Sequence, residues 1–166
     1  MTSAPAHDTP RDLARDPLRD GSASDALNED FLLGLVGHSA RLASSSIRPL
    51  FAERMAQYDL RQAEFAVLSL LQANPGISQR RLADAINVSP PNMAAVLGRL
   101  VERGLVQRQR DAADQRTQVL ALTKAGALLY RRAAVTVAAL EREATAVLSD
   151  KELAELLRLL RKLSRR

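Results

Sequence analysis

Apolar residues recur at every third or fourth position through most of this chain, and at every second position only between Leu105 and Leu122. A mainly helical protein with one small β-hairpin follows. From Leu27 to Tyr58 the apolar positions Phe31, Leu35, Leu42, Ile47, Leu50, Phe51 and Met55 predict a long helix. Pro49 lies inside it. Proline lacks an N–H and its ring clashes with the carbonyl four residues back, so a kink or a break into two helices is expected near Ser44-Ser45-Ser46. Leu60 to Ala73 predicts the next helix, with Phe65, Leu68 and Leu71 inward and Asn74-Pro75-Gly76 as its stop.

The pattern is most specific from Ser78 to Gly126. Ser78 caps a short helix with Leu82, Ala83 and Ile86 on one face, and Asn87-Val88 is a turn. Ser89 caps a second helix, Pro90 takes its first position, and Gly104 ends it after Arg103. Met93, Val96, Leu97, Leu100 and Val101 form its apolar stripe; Asn92, Ala95, Gly98 and Arg99 form a small, polar opposite face. Two short helices across a tight turn, the second with an outward face of this kind, meet the requirements of a helix-turn-helix. Leu105-Val106 and Thr117 to Leu122 then read as strands around a polar hairpin holding Arg108, Arg110, Asp111, Asp114 and Arg116. Between Gly76 and Gly126 eight basic residues face four acidic ones, which suits a wing that touches phosphates and a minor groove.

These residues resemble the MarR family of winged-helix transcription regulators. The resemblance is carried by Gln79-Arg80-Arg81-Leu82-Ala83, by Leu100-Val101-Glu102-Arg103-Gly104-Leu105-Val106, by Arg108, and by Asp114-Gln115-Arg116 with Leu122-Thr123-Lys124-Ala125-Gly126 beyond it. It covers roughly residues 31 to 165 and implies obligate dimers paired through the first and last helices. It also implies that Asp114 and Arg116 are the wing pair, Arg116 entering the minor groove while Asp114 holds its guanidinium. At the start of the helix after Tyr58, many relatives place a capping threonine where this chain has Arg61, and Asp59 is the candidate cap instead.

The organisation expected is therefore a tail over 1–25, a dimerisation helix over 26–58, a winged helix-turn-helix unit over 59–126 and dimerisation helices over 127–166. Thr123 caps a long helix to about Leu148, and Ser149 with Glu152 forms a capping box opening a last helix. That helix carries Leu153, Leu156, Leu157, Leu160 and Leu163, more leucine than one small domain needs, so a homodimeric helical bundle is expected.

Composition adds three points. Aromatic residues are only 3% of the chain, with few glycines and prolines, which favours helices over a large sheet. The net charge of +5 is uneven: residues 1–30 hold three arginines against seven acidic groups, so the tail is acidic and the body basic, and the tail is a candidate competitor with DNA. The tail, with Pro5, Pro10, Pro17 and Gly21, is expected to be disordered. The chain has no cysteine and two histidines, His7 and His38, which argues against disulfides, thiol sensing and a histidine-rich metal site. No membrane span or leader is predicted, and the expected location is the cytoplasm.

Candidate groove contacts are Ser89, Pro91, Asn92 and Arg99, since Asn pairs with adenine and Arg with guanine through two hydrogen bonds. Gln79, Arg80, Arg108 and Arg110 are candidate phosphate contacts. The resemblance implies a small, often anionic aromatic effector, and His38, Arg41 and Ser45, at i, i+3 and i+7, could present a switchable imidazole, a cation and a hydroxyl to it, with Phe65 stacking beneath. The function expected is a repressor released from a pseudo-palindromic operator by an aromatic or phenolic ligand or its CoA thioester. The alternative is a ligand-independent architectural or non-specific DNA-binding protein. No phosphate loop, metal cluster or nucleophile with a spaced histidine points to an enzyme, and no cofactor is expected.

Overall fold

A computed structural model describes residues 27–110 and 118–164. A one-turn helix α1 (Asp30–Leu33) precedes α2 (Val36–Met55), which ends in a 3-10 turn over Ala56–Tyr58. The unit α3 (Gln62–Ala73), α4 (Gln79–Ala85), α5 (Pro90–Glu102) and the hairpin β1 (Val106–Arg110), β2 (Gln118–Leu122) follows. Then come α6 (Lys124–Ala144) and α7 (Asp150–Ser164).

Of the kink or break expected near Ser44-Ser45-Ser46, no break occurs. Helix α2 runs unbroken through Pro49, because Ser45, whose carbonyl loses its partner there, is exposed and water can serve it. The chain breaks instead at Gly34-Leu35, where Leu35 turns extended and the Ser39 hydroxyl donates to the Leu33 carbonyl at 2.8 Å. At the start of α3 the N-cap is Arg61, not Asp59, which lies in the left-handed region at φ 48. An arginine side chain has no acceptor, so only half a capping box forms: the Arg61 N–H donates to Glu64 Oε2 at 2.8 Å.

The C-terminal ends of both helices of the helix-turn-helix are closed by the same device. At Asn87 (φ 52) the Val88 N–H reaches the Ala83 carbonyl and the Asn87 N–H reaches Asp84; at Gly104 (φ 67) Leu105 reaches Leu100 and Gly104 reaches Val101. A left-handed residue satisfies two orphan carbonyls at each helix end. Asparagine and glycine are the residues that adopt this conformation at least cost, so the turn and the stop are both written locally.

The hairpin pairs Val106 with Leu122 through Arg110 with Gln118, antiparallel. Its first strand extends to Arg110, further than Leu105-Val106, because pairing with β2 supplies the bonds that an exposed polar sequence does not advertise. Ile77 forms an isolated antiparallel bridge to β2: the Leu120 N–H donates to the Ile77 carbonyl at 3.1 Å, and the Leu120 carbonyl accepts from the Gly76 N–H at 3.2 Å. Met55, Leu68, Leu82, Met93, Leu97 and Leu100 are fully buried in the core between α2, α3, α4 and α5. Each contributes roughly 1.5–3 kcal/mol of apolar burial. Helix α6 packs on α2 and α3, and ends at Ala144 rather than near Leu148. Its cap is as expected: Thr123 Oγ1 accepts from the Gly126 N–H at 3.0 Å and also donates to the Gly104 carbonyl at 2.7 Å. No residue of α7 is buried. Its capping box does form, Ser149 N–H and Oγ both donating to Glu152 Oε2.

Candidate DNA interface and effector cleft

Helix α5 is amphipathic in a way that leaves one face free. Met93, Leu97 and Leu100 point into the core, while Pro91, Asn92, Ala94, Ala95 and Gly98 are exposed. An exposed run of small groups around one asparagine can approach another surface closely without burying an unpaired charge. Ser89 has the backbone of an N-cap but makes no side-chain capping bond. The reason lies in the next two residues: Pro90 and Pro91 have no N–H to offer, so only the third position remains, and the hydroxyl stays available to an outside partner.

Exposed cations flank that face. Arg80 stands at the start of α4, where Gln79 is half-buried, and Arg108 and Arg110 project from β1. Gln79 and Arg80 also rim a hollow of about 620 Å³ between α4 and Pro90. Asp114 and Arg116 lie outside the described residues. Arg99 is placed differently from its neighbours on the same face. Its Nη2 is 2.9 Å from Oε1 of the buried Glu64 on α3, and the side chain is only about one-third exposed (36%).

The four residues proposed for the effector do not converge within one protomer. Arg41 Nη2 lies 3.4 Å from His38 Nδ1 on the first half of α2, with Arg41 and Ser45 exposed. Phe65 instead meets Phe51, thirteen residues beyond His38 and therefore roughly 20 Å further along the helix. Spacing along α2 reported a shared face correctly, but only the crossing of α2 with α3 shows which end Phe65 reaches.

A different set surrounds Phe65. Phe51 and Phe65 meet edge-on at 6.1 Å between ring centres, and Phe65 stacks with Tyr130 at 5.8 Å. Beside them a cleft of about 400 Å³ is lined by Gln62, Phe65, Ser69, Ile86, Val137 and Glu141, among others. A second hollow of about 370 Å³, sharing Phe51 and Gln62, opens towards Arg48 and Arg61. Apolar walls with a few polar groups suit a small aromatic molecule, and two arginines at the adjoining opening suit an acidic one. The missed signal was scarcity: three of the chain's five aromatic residues gather at this junction. Among the described residues no cluster of three or more metal-ligating side chains occurs, and no helix is long and apolar enough to cross a membrane.

Residues 58–117, which take in α3 to β1 but not β2, match a family model described as MarR family. The chain is 30% identical over 128 residues to the HTH-type transcriptional repressor Rv2887 of Mycobacterium tuberculosis, covering 77% of this chain and 92% of that protein. It is 35% identical over 89 residues to the transcriptional regulator HosA of Escherichia coli O157:H7, covering 51% of this chain and 66% of that protein, just under two thirds of its length. Among solved structures, the transcriptional repressor CouR bound to a 23-mer DNA duplex superposes with a TM-score of 0.77 at 33% identity, covering 84% of this chain and 99% of that one. CouR bound to p-coumaroyl-CoA does so at 0.75 and 32%, covering 86% and 99%.

Proposed function

The chain belongs to the MarR family of winged-helix transcriptional regulators, and on that premise we propose that it is a dimeric repressor, released from a pseudo-palindromic operator by a small aromatic or phenolic ligand or its CoA thioester. The observation that carries the reading is the free face of α5 between exposed arginines of α4 and β1. Two such helices, related by a two-fold axis, enter successive major grooves about 34–36 Å apart. Ser89, Pro91 and Asn92 lead into the groove; Gln79, Arg80, Arg108 and Arg110 take phosphates; Asp114 and Arg116 form the wing pair at the minor groove.

Dimerisation fits the surface that one protomer leaves open. Phe31 is 78% and Leu163 67% exposed, and Leu32, Leu33, Leu35, Val36, Leu156 and Leu160 are exposed with them. Apolar faces on the first and last helices call for a second copy. The effector sits in the cleft by Phe65 and Ser69, with an acidic group drawn towards Arg48 and Arg61. His38, Arg41 and Ser45 belong to the dimer half of α2, and reach an effector only if the partner subunit brings them to it.

Fluorescence anisotropy on the DNA immediately upstream of the chain's own gene, against scrambled DNA and with a panel of aromatic acids and their CoA thioesters, tests this. Preferential binding reversed by one compound is expected. Equal binding to both DNAs, with no response, would make it an architectural DNA-binding protein instead.

A further inference from the structure

We infer that Arg99 positions the recognition helix α5 and does not read a base, and that with Arg103 it ties this helix to the joint between α2 and α3 that walls the hollow adjoining the effector cleft. The inference deepens the regulator reading above and rests on it for one of its two readouts.

Arg99 and Arg103 are four residues apart, so both side chains leave the same side of the C-terminal half of α5. Arg99 reaches Glu64, whose side chain is 3% exposed and which also receives the Arg61 N–H. Arg103 donates from Nη2 to the Tyr58 carbonyl at 3.0 Å and from Nη1 to the Asp59 carbonyl. Those carbonyls stand at the end of the 3-10 turn that follows α2, and the Tyr58 hydroxyl is 2.8 Å from Thr136 Oγ1 on α6. One seven-residue joint, Tyr58 to Glu64, is thus bonded to α6 on one side and to α5 on the other.

Moving Arg99 onto a base would strand a buried carboxylate. That penalty exceeds the discrimination one bidentate base contact returns, so the guanidinium stays on Glu64 while DNA is bound. The tie holds the inner half of α5, and the outer half, with Pro91 and Asn92, turns about it. Asp59, Leu60, Arg61 and Gln62 also line the hollow beside Phe51. A ligand pressing there acts on the peptide groups that Arg103 grips and on the helix start that Glu64 caps. This is the contact through which occupancy of the cleft changes the angle of α5.

The test is a double-mutant cycle in the full-length protein with Glu64→Gln, Arg99→Gln and the pair. Glutamine at 64 keeps the shape and an acceptor for the Arg61 N–H but removes the charge. Anisotropy on the upstream DNA and hydrogen exchange without DNA are read side by side. Each single change is expected to weaken specific binding about tenfold, with the pair no worse than either alone, while Arg99→Lys retains most of the affinity. Exchange is expected to quicken at 58–64 and in the second half of α5 in both single variants.

If Glu64→Gln leaves affinity unchanged or raises it while Arg99→Gln lowers it, Arg99 is a base contact and the inference is overturned. Additive losses overturn it too. If the parent protein shows no preference for the upstream DNA, the regulator reading loses its support, and exchange alone decides the tie: unchanged rates in Glu64→Gln refute it. Should the Gln variants not fold, Arg99→Lys decides alone: retained affinity with parent-like exchange at 58–64 is expected, and an about tenfold loss of affinity with unchanged exchange there overturns the inference.

Discussion

At the scale of single residues, one missing methyl group decides where α6 can begin. A Cβ on Gly126 would stand 2.0 Å from the Leu105 carbonyl oxygen and 2.9 Å from its carbon, both backbone atoms that cannot step aside. Glycine is needed there because the helix start is held against the Gly104-Leu105 segment before β1, where the Thr123 hydroxyl donates to the Gly104 carbonyl and the Thr123 N–H to the Leu105 carbonyl. Gly126→Ala should therefore cost about 1–3 kcal/mol, read as a lower denaturant midpoint with an unchanged slope. Asn92 makes the opposite kind of prediction. It is exposed and has no part in the core, so Asn92→Ala should leave stability alone. Discrimination between the operator and scrambled DNA should fall by roughly 1–3 kcal/mol in anisotropy.

At the scale of elements, the wing and the last helix answer to charge in different ways. Arg108 and Arg110 extend from β1 into solvent and touch no base in the proposed geometry. Replacing both with glutamine should weaken operator and scrambled DNA alike, and lower the slope of log affinity against log salt by about 2. In α7 the Glu152 carboxyl is held below its ordinary range, first by the Ser149 hydroxyl and then by the Ser149 N–H. A lowered folded-state pKa means that the unfolded chain binds the proton more readily, so this contribution is present above the ordinary carboxylate range and is lost as pH falls through the folded value. Circular dichroism should show α7 fraying below about pH 4, and Ser149→Ala should shift the onset of that fraying to higher pH.

At the scale of the whole molecule, the described chain has a core without α7. That helix is held to its own protomer by no buried residue, and α1 is equally bare. A homodimer in which these helices pair is the proposal that accounts for both, and it predicts that removing residues 149–166 yields monomers in sedimentation equilibrium. Operator affinity should then collapse towards that of scrambled DNA, because a single recognition helix gains nothing from a second half-site.

Local order was legible in the residues themselves. Ser78, Asn87, Pro90, Gly104, Thr123 and the Ser149–Glu152 pair each act within about four positions of themselves, so these helix ends and the turn between α4 and α5 were determined before any packing was known. Motif and spacing were enough to identify the winged unit as a relative of known regulators. How α2, α5 and α6 pack around α3 was not legible, and it decided which of these distant residues meet. It separated Phe65 from His38, Arg41 and Ser45, gathered Phe51, Phe65 and Tyr130, and gave Arg99 a buried carboxylate as its partner. Periodicity reports which face of a helix is apolar; only the tertiary structure settles what lies against that face, because a contact between elements depends on where both helices run and not on either sequence alone.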